Sequence, residues 1–138
     1  MRLIILAAVS LLISACSKKG SPTIELQDMA DTSATAVATG TFENGPYGTV
    51  AGQAGVYRNA RGELHVLLQN FNTSNGPDLH VYLSAERMPA NFVILGKLKA
   101  TAGIQVYNIP TGTDVANYKY VCIHCKAYNH LFGSALIK

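Results

Sequence analysis

The sequence predicts an all-β protein: a single antiparallel β-sandwich or barrel-like domain of about eight strands, preceded by a targeting segment and a tether. Three observations carry this. From Thr39 to Lys138, short alternating or continuous apolar runs recur at intervals of roughly 8–15 residues. The breaks between them are rich in Gly, Asn and Pro, the residues that turns demand. No stretch holds a helical apolar period over three turns. At 138 residues the chain is one domain long, and its high apolar and low charged content argues against disorder.

Each strand has its own signal. Thr39–Glu43 is a first run, closed by Asn44-Gly45-Pro46. Thr49–Arg58 follows, with Gly52 and Gly55 marking a bulge or a close backbone approach. After the turn Asn59–Gly62 comes Glu63–Phe71, where Leu64, Val66 and Leu68 take one face and His65, Leu67 and Gln69 the other. Asn75-Gly76-Pro77 turns the chain into Asp78–Ser84, and Glu86–Asn91 has the length of a single helical turn. Phe92–Leu98, Gly103–Ile109, Tyr118–Cys125 and Leu131–Ile137 complete the set, with Pro110–Asp114 as another turn.

The N-terminus speaks to location. Met1-Arg2 is a short positive start, and Leu3–Ile13 is apolar except for Ser10. That run is shorter than the ~20 residues a bilayer span needs. It ends in Ile13-Ser14-Ala15-Cys16, a small-residue cleavage pattern with cysteine directly after the cut. It resembles a bacterial lipobox, which implies a signal peptide over 1–15 and a lipidated Cys16 as the mature N-terminus. Residues 16–38, rich in Ser, Thr, Ala, Lys and Asp, read as a flexible tether in which Ile24-Glu25-Leu26 is short enough to dock only as a brief strand, leaving 39–138 as the domain. The expected location is the bacterial cell envelope, lipid-anchored and extracytoplasmic. Ser17 after the cysteine, where an inner-membrane retention signal would place Asp, favours the outer membrane.

The chemistry-bearing stretch is Tyr118–Lys138, with two of the three cysteines and two of the four histidines. Cys122 and Cys125 form a C-x-x-C, which in an oxidising compartment invites a disulfide. On one regular strand, however, residues three apart point to opposite faces, with Cα atoms ~10 Å apart where a disulfide needs under ~7 Å. No alternating βαβ pattern exists for a thioredoxin-like site. Lys126 stands where covalent haem attachment would place a histidine. Cys122, His124, Cys125 and His130 have the donor atoms for copper or zinc, but Cys122 and His124 share a strand face that Cys125 does not. Each cysteine also reads plainly as a small buried hydrophobe. His65 and His80 read as half-exposed strand residues, His80 sharing a face with Tyr82.

Other classes are poorly supported. The net charge of +3 is unclustered, with no interleaving of basic and aromatic residues, which excludes a nucleic-acid surface. No Ser-His-Asp order, nucleophile elbow, P-loop or carboxylate pair marks a turnover enzyme.

Several segments together resemble the DM-thirteen family, a DOMON-associated domain described as an electron-transfer module. They are Gly40-Thr41-Phe42, Thr49–Gly52, Leu67–Phe71, Gly76–Leu83, Leu95–Leu98, Gly103, Tyr107, Ile109-Pro110, Val121, Ile123, Cys125 and Phe132-Gly133 with Ala135. The resemblance covers nearly all of 39–138. It implies an all-β fold and a family cysteine at Cys125, redox-active or engaging a haem or metal. His124 departs from the aromatic residue common before that cysteine, and Cys122 is an addition. The expected function is thus an extracytoplasmic electron-transfer accessory, anchored by Cys16 and serving a redox partner in the envelope. Cys125 is the redox or ligand residue, Cys122 and His124 its modulators, and His130 a second ligand. Two alternatives stay open: a non-catalytic surface binding or adhesion module with a structural cysteine, and an envelope Cu/Zn-binding protein.

Overall fold

The computed structural model describes residues 25–138. The expected signal peptide, Cys16 and the first part of the tether lie outside the described residues. Among the described residues nine strands are present: β1 (Glu25–Gln27), β2 (Thr35–Asn44), β3 (Val50–Arg58), β4 (Leu64–Thr73), β5 (Leu79–Ser84), β6 (Phe92–Lys97), β7 (Ala102–Asn108), β8 (Tyr120–Cys125) and β9 (His130–Leu136). They form one sheet in the order β1-β7-β4-β3-β2-β9-β8-β5-β6. The sheet stays open and curls, so that side chains from its two halves meet in one core. The all-β expectation thus takes the form of a single curled sheet.

β2 joins the two halves. Its first part, Thr35–Thr41, pairs with β3, and its last three residues, Phe42–Asn44, pair with β9. Phe42 is buried at this corner, its ring 5.6 Å from that of Phe71. Around them Val56, Val66, Leu68, Val81, Leu83 and Ile123 are almost wholly shielded from water. The alternation read in β4 is the one observed, with Val66 and Leu68 in this core. Gly52, at φ +105°, sits at the register shift between Ala51 and Gln53, the bulge its position suggested.

Three features differ from the sequence reading. The sheet begins earlier, because β1 lies in the stretch read as tether and β2 starts at Thr35. β1 also runs parallel to β7, so the sheet is mixed at that edge rather than wholly antiparallel. Three residues with one apolar side chain give no periodic signal; the strand is fastened by its C-terminal neighbour, Asp28. That carboxylate accepts hydrogen bonds from the Val106 amide (3.0 Å) and from Lys99 Nζ (2.8 Å), which also donates to the Val106 carbonyl. These bonds hold the Asp28 carboxyl below its ordinary range, that from Lys99 foremost. Finally, Glu86–Asn91 is not a helical turn. The Ser84 hydroxyl donates to the Glu86 carbonyl and the Asn91 amide to the Glu86 carboxylate, so side chains occupy the groups a helix would use. The helical turn is 3-10, at Val115–Asn117, capped by Asp114.

β1 docks only because Gly103 lacks a side chain: at φ +101°, a Cβ there would lie 1.8 Å from the Leu26 carbonyl oxygen. We expect Gly103→Ala to detach β1, exposing the Glu25–Gln27 amides to rapid hydrogen exchange while β8 and β9 amides keep their protection. Slow exchange at both places in the variant would refute this packing account.

Candidate functional site

The alternation of β8 divides the predicted site residues between two environments. Val121, Ile123 and Cys125 point into the main core. Cys122 points to the other face, where it packs with Tyr82 of β5 and Leu131 of β9. Both thiols are free and buried, at 0% exposure for Cys122 and 1% for Cys125. Strand register makes the separation firm: Tyr82, Cys122 and Ser134 lie side by side across β5, β8 and β9. The next row holds His80, His124 and Leu131. His124 shares the face of Cys122, as its spacing required, and is itself only 2% exposed.

This second face of the sheet is buried because the 85–91 loop folds back over it. The Arg87 carbonyl accepts a weak hydrogen bond from Cys122 Sγ at 3.5 Å. The Arg87 guanidinium donates to the Asn44 carbonyl at 3.3 Å and lies 3.5 Å from the Glu43 carboxylate, tying the loop to β2. Under this cover burial pushes the Cys122 thiol up to about 12. Such a thiol is protonated and a poor nucleophile at neutral pH.

His124 is held from one side. Its Nε2 lies 2.9 Å from Asn129 Oδ1 in the β8–β9 turn, where Asn129 adopts φ +53°. A carbonyl oxygen only accepts, so Nε2 carries the proton and Nδ1 is left as a bare lone pair. That Nδ1 is buried and has no hydrogen-bond partner. Burial lowers the His124 pKa, outweighing the support of Asn129, so the ring is kept neutral. The Tyr82 ring stands 5.0 Å away, itself stacked on Phe92 at 4.7 Å.

His130 belongs elsewhere. It pairs in register with Cys125 at the end of the β8–β9 hairpin and is partly exposed. Tyr47 stacks flat on it at 3.6 Å, and Tyr128 lies 6.0 Å away. Both tyrosines are more than half exposed. Cys122 and His124 thus share one face, Cys125 enters the core on the other and His130 stacks at the end of the hairpin, so the four candidates do not form one four-ligand centre. Among the described residues no three His, Cys, Asp or Glu side chains gather to hold a metal ion. A tetrahedral zinc site does not fit. Nor does a haem at Cys125, whose sulfur sits inside a continuous core with no opening for the macrocycle. Sequence reasoning missed Arg87, Asn129 and Tyr47. Only Tyr82 had a signal, through its alternation with His80.

A family model described as "Electron transfer DM13" matches residues 41–137. No curated protein and no solved structure matches the chain.

The burial has two measurable consequences. In the folded protein burial keeps Cys122 protonated at pH 8 and the core shields Cys125 from reagents, so both thiols should resist Ellman's reagent until denaturant is added; rapid reaction of native Cys122 would contradict its placement. His124, neutral when folded, charges more readily when unfolded, so the unfolded state binds more protons just below pH 6.5. Stability should therefore be fully present above that pH and fall as pH drops from it towards the lowered folded value. This part of the acid slope in urea titrations should vanish in His124→Gln, and an unchanged slope would refute it.

Proposed function

Because this chain belongs to the Electron transfer DM13 family, we propose that it is an extracytoplasmic electron-transfer accessory domain, anchored to the membrane through Cys16, with Cys125 as its redox residue. The family match over 41–137 supports the electron-transfer role. The observation that favours Cys125 is its register with an aromatic stack that reaches the surface. The thiol is buried, yet its cross-strand neighbour is His130, and the exposed Tyr47 ring lies flat on that imidazole at 3.6 Å. In this reading the stack is the path by which the buried thiol exchanges electrons with a partner docked outside, with no opening of the core. Anchoring rests on the lipobox-like Ile13–Cys16 and the short apolar run before it. No helix of the described residues is long and apolar enough to cross a membrane.

One observation favours a second reading, a non-catalytic binding module. Cys125 is 1% exposed among Leu79, Ile123 and other core side chains, which is how a purely structural cysteine sits.

Protein-film voltammetry of the full chain in detergent separates the two. The electron-transfer reading predicts a one-electron wave, the Cys125 thiol giving its electron to the electrode and its proton to solvent, that disappears in Cys125→Ser. In His130→Gln and Tyr47→Leu the wave should keep its potential while electron exchange slows about tenfold or more. No wave, or one indifferent to Cys125, would leave the binding module, with Cys125→Ser costing only stability. In the same preparations, Cys16→Ser should abolish lipid labelling and membrane retention; a variant still labelled would refute the anchor.

A further inference from the structure

The family role falls on Cys125 and leaves the other buried thiol, Cys122, without a task. We propose that Cys122 Sγ and His124 Nδ1 form a two-ligand site for a cuprous ion beneath the 85–91 loop. Three observations converge on it. The two residues are two apart on β8 and share one face, both all but inaccessible to water. The Asn129 carbonyl accepts a hydrogen bond from Nε2–H of His124, the arrangement that orients a ligating imidazole and leaves its other nitrogen free to bind. And Nδ1 is the buried side-chain polar atom, among the described residues, that has no hydrogen-bond partner. Burying such an atom unsatisfied costs about 1–3 kcal/mol in general, a cost that a bound ion removes.

The chemistry selects the ion. Thiolate and imidazole are soft and borderline donors, a pair that suits Cu(I). Binding exchanges one cation for another: Cu⁺ displaces the thiol proton, which leaves to solvent, a Cu–S bond replaces the S–H bond, and copper stays Cu(I) throughout. The buried site is neutral before and after, so the desolvation that disfavours a free thiolate does not oppose the copper thiolate. Zn²⁺ would leave a net positive charge in the same apolar surroundings and lacks the four ligands it needs. Entry requires only the loop to lift. Its outer fastening, Arg87 to Glu43, joins side chains 51% and 72% exposed, the kind of pair that holds weakly.

The site is independent of the electron-transfer reading: it lies on the other face of β8 from Cys125, and either one stands if the other fails. The test is anaerobic competition for Cu(I) against a chromophoric chelator. The protein is the full chain in detergent carrying Cys16→Ser, so that Cys122 and Cys125 are the thiols present. One equivalent should bind, with affinity rising about tenfold per pH unit because one proton is released. Cys125→Ala should leave it unchanged, Cys122→Ala should abolish it, and His124→Phe should weaken it about 10–100-fold. Asn129→Gly, which keeps the turn's positive φ and removes the amide, should weaken it about tenfold. Binding that survives Cys122→Ala or follows Cys125, or no stoichiometric binding at all, would overturn the site. If circular dichroism shows Cys122→Ala unfolded, an unaltered affinity in Asn129→Gly overturns it instead.

Discussion

The two-residue alternation of β8 is the constraint on which the functional reading depends. Successive side chains of a strand leave opposite faces of the sheet, so five consecutive buried residues, Val121–Cys125, must serve two separate apolar environments. Cys125 enters the central core with Val121 and Ile123. Cys122 and His124 enter a thinner layer on the far side. A C-x-x-C spacing that elsewhere brings two sulfurs together here puts a sheet between them. Each thiol acquires its own neighbours, and no single centre can recruit all four of the nitrogen and sulfur donors in this stretch.

The far side of a sheet edge is ordinarily wet, and the fold has to close it. β2 does part of this by turning the corner between the two halves, so that one strand ends beside β9 while its beginning stays with β3. The 85–91 loop does the rest. It is shaped by the Ser84 and Glu86 side chains and reaches back to β2 through Arg87. The result is a layer in which a thiol, a neutral imidazole and a phenol ring lie dry and close together. That dryness sets their acid–base character: it raises the Cys122 thiol and the Tyr82 hydroxyl and lowers the His124 imidazole, in each case favouring the uncharged form.

Much of this was legible from the chain. Alternation located the eight main strands and assigned the faces of β4, and the same rule separated Cys122 from Cys125 before any fold was known. Turn residues marked the hairpins, and Gly52 marked a bulge. What escaped was whatever depends on distant partners. β1 has three residues and no period of its own; its place comes from Asp28 meeting Val106 and Lys99 across the sheet edge. The cover over Cys122 comes from a loop whose sequence reads as a helical turn. The bond from His124 to Asn129 depends on a positive φ in the hairpin, and the Tyr47–His130 stack on chain segments far apart in sequence. None of these leaves a periodic trace.

The separation of the two thiols is tested most directly by oxidation. The full chain, kept native in an oxidising thiol–disulfide buffer, is digested and its cysteine peptides are mapped by mass. Residues three apart on a strand hold their Cα atoms ~10 Å apart, beyond the ~7 Å limit of a disulfide. Cys122 and Cys125 should therefore both be recovered as reduced thiols. A Cys122–Cys125 bond formed under native conditions would mean that β8 breaks between them, and with it would go the two-faced arrangement from which both sites are read.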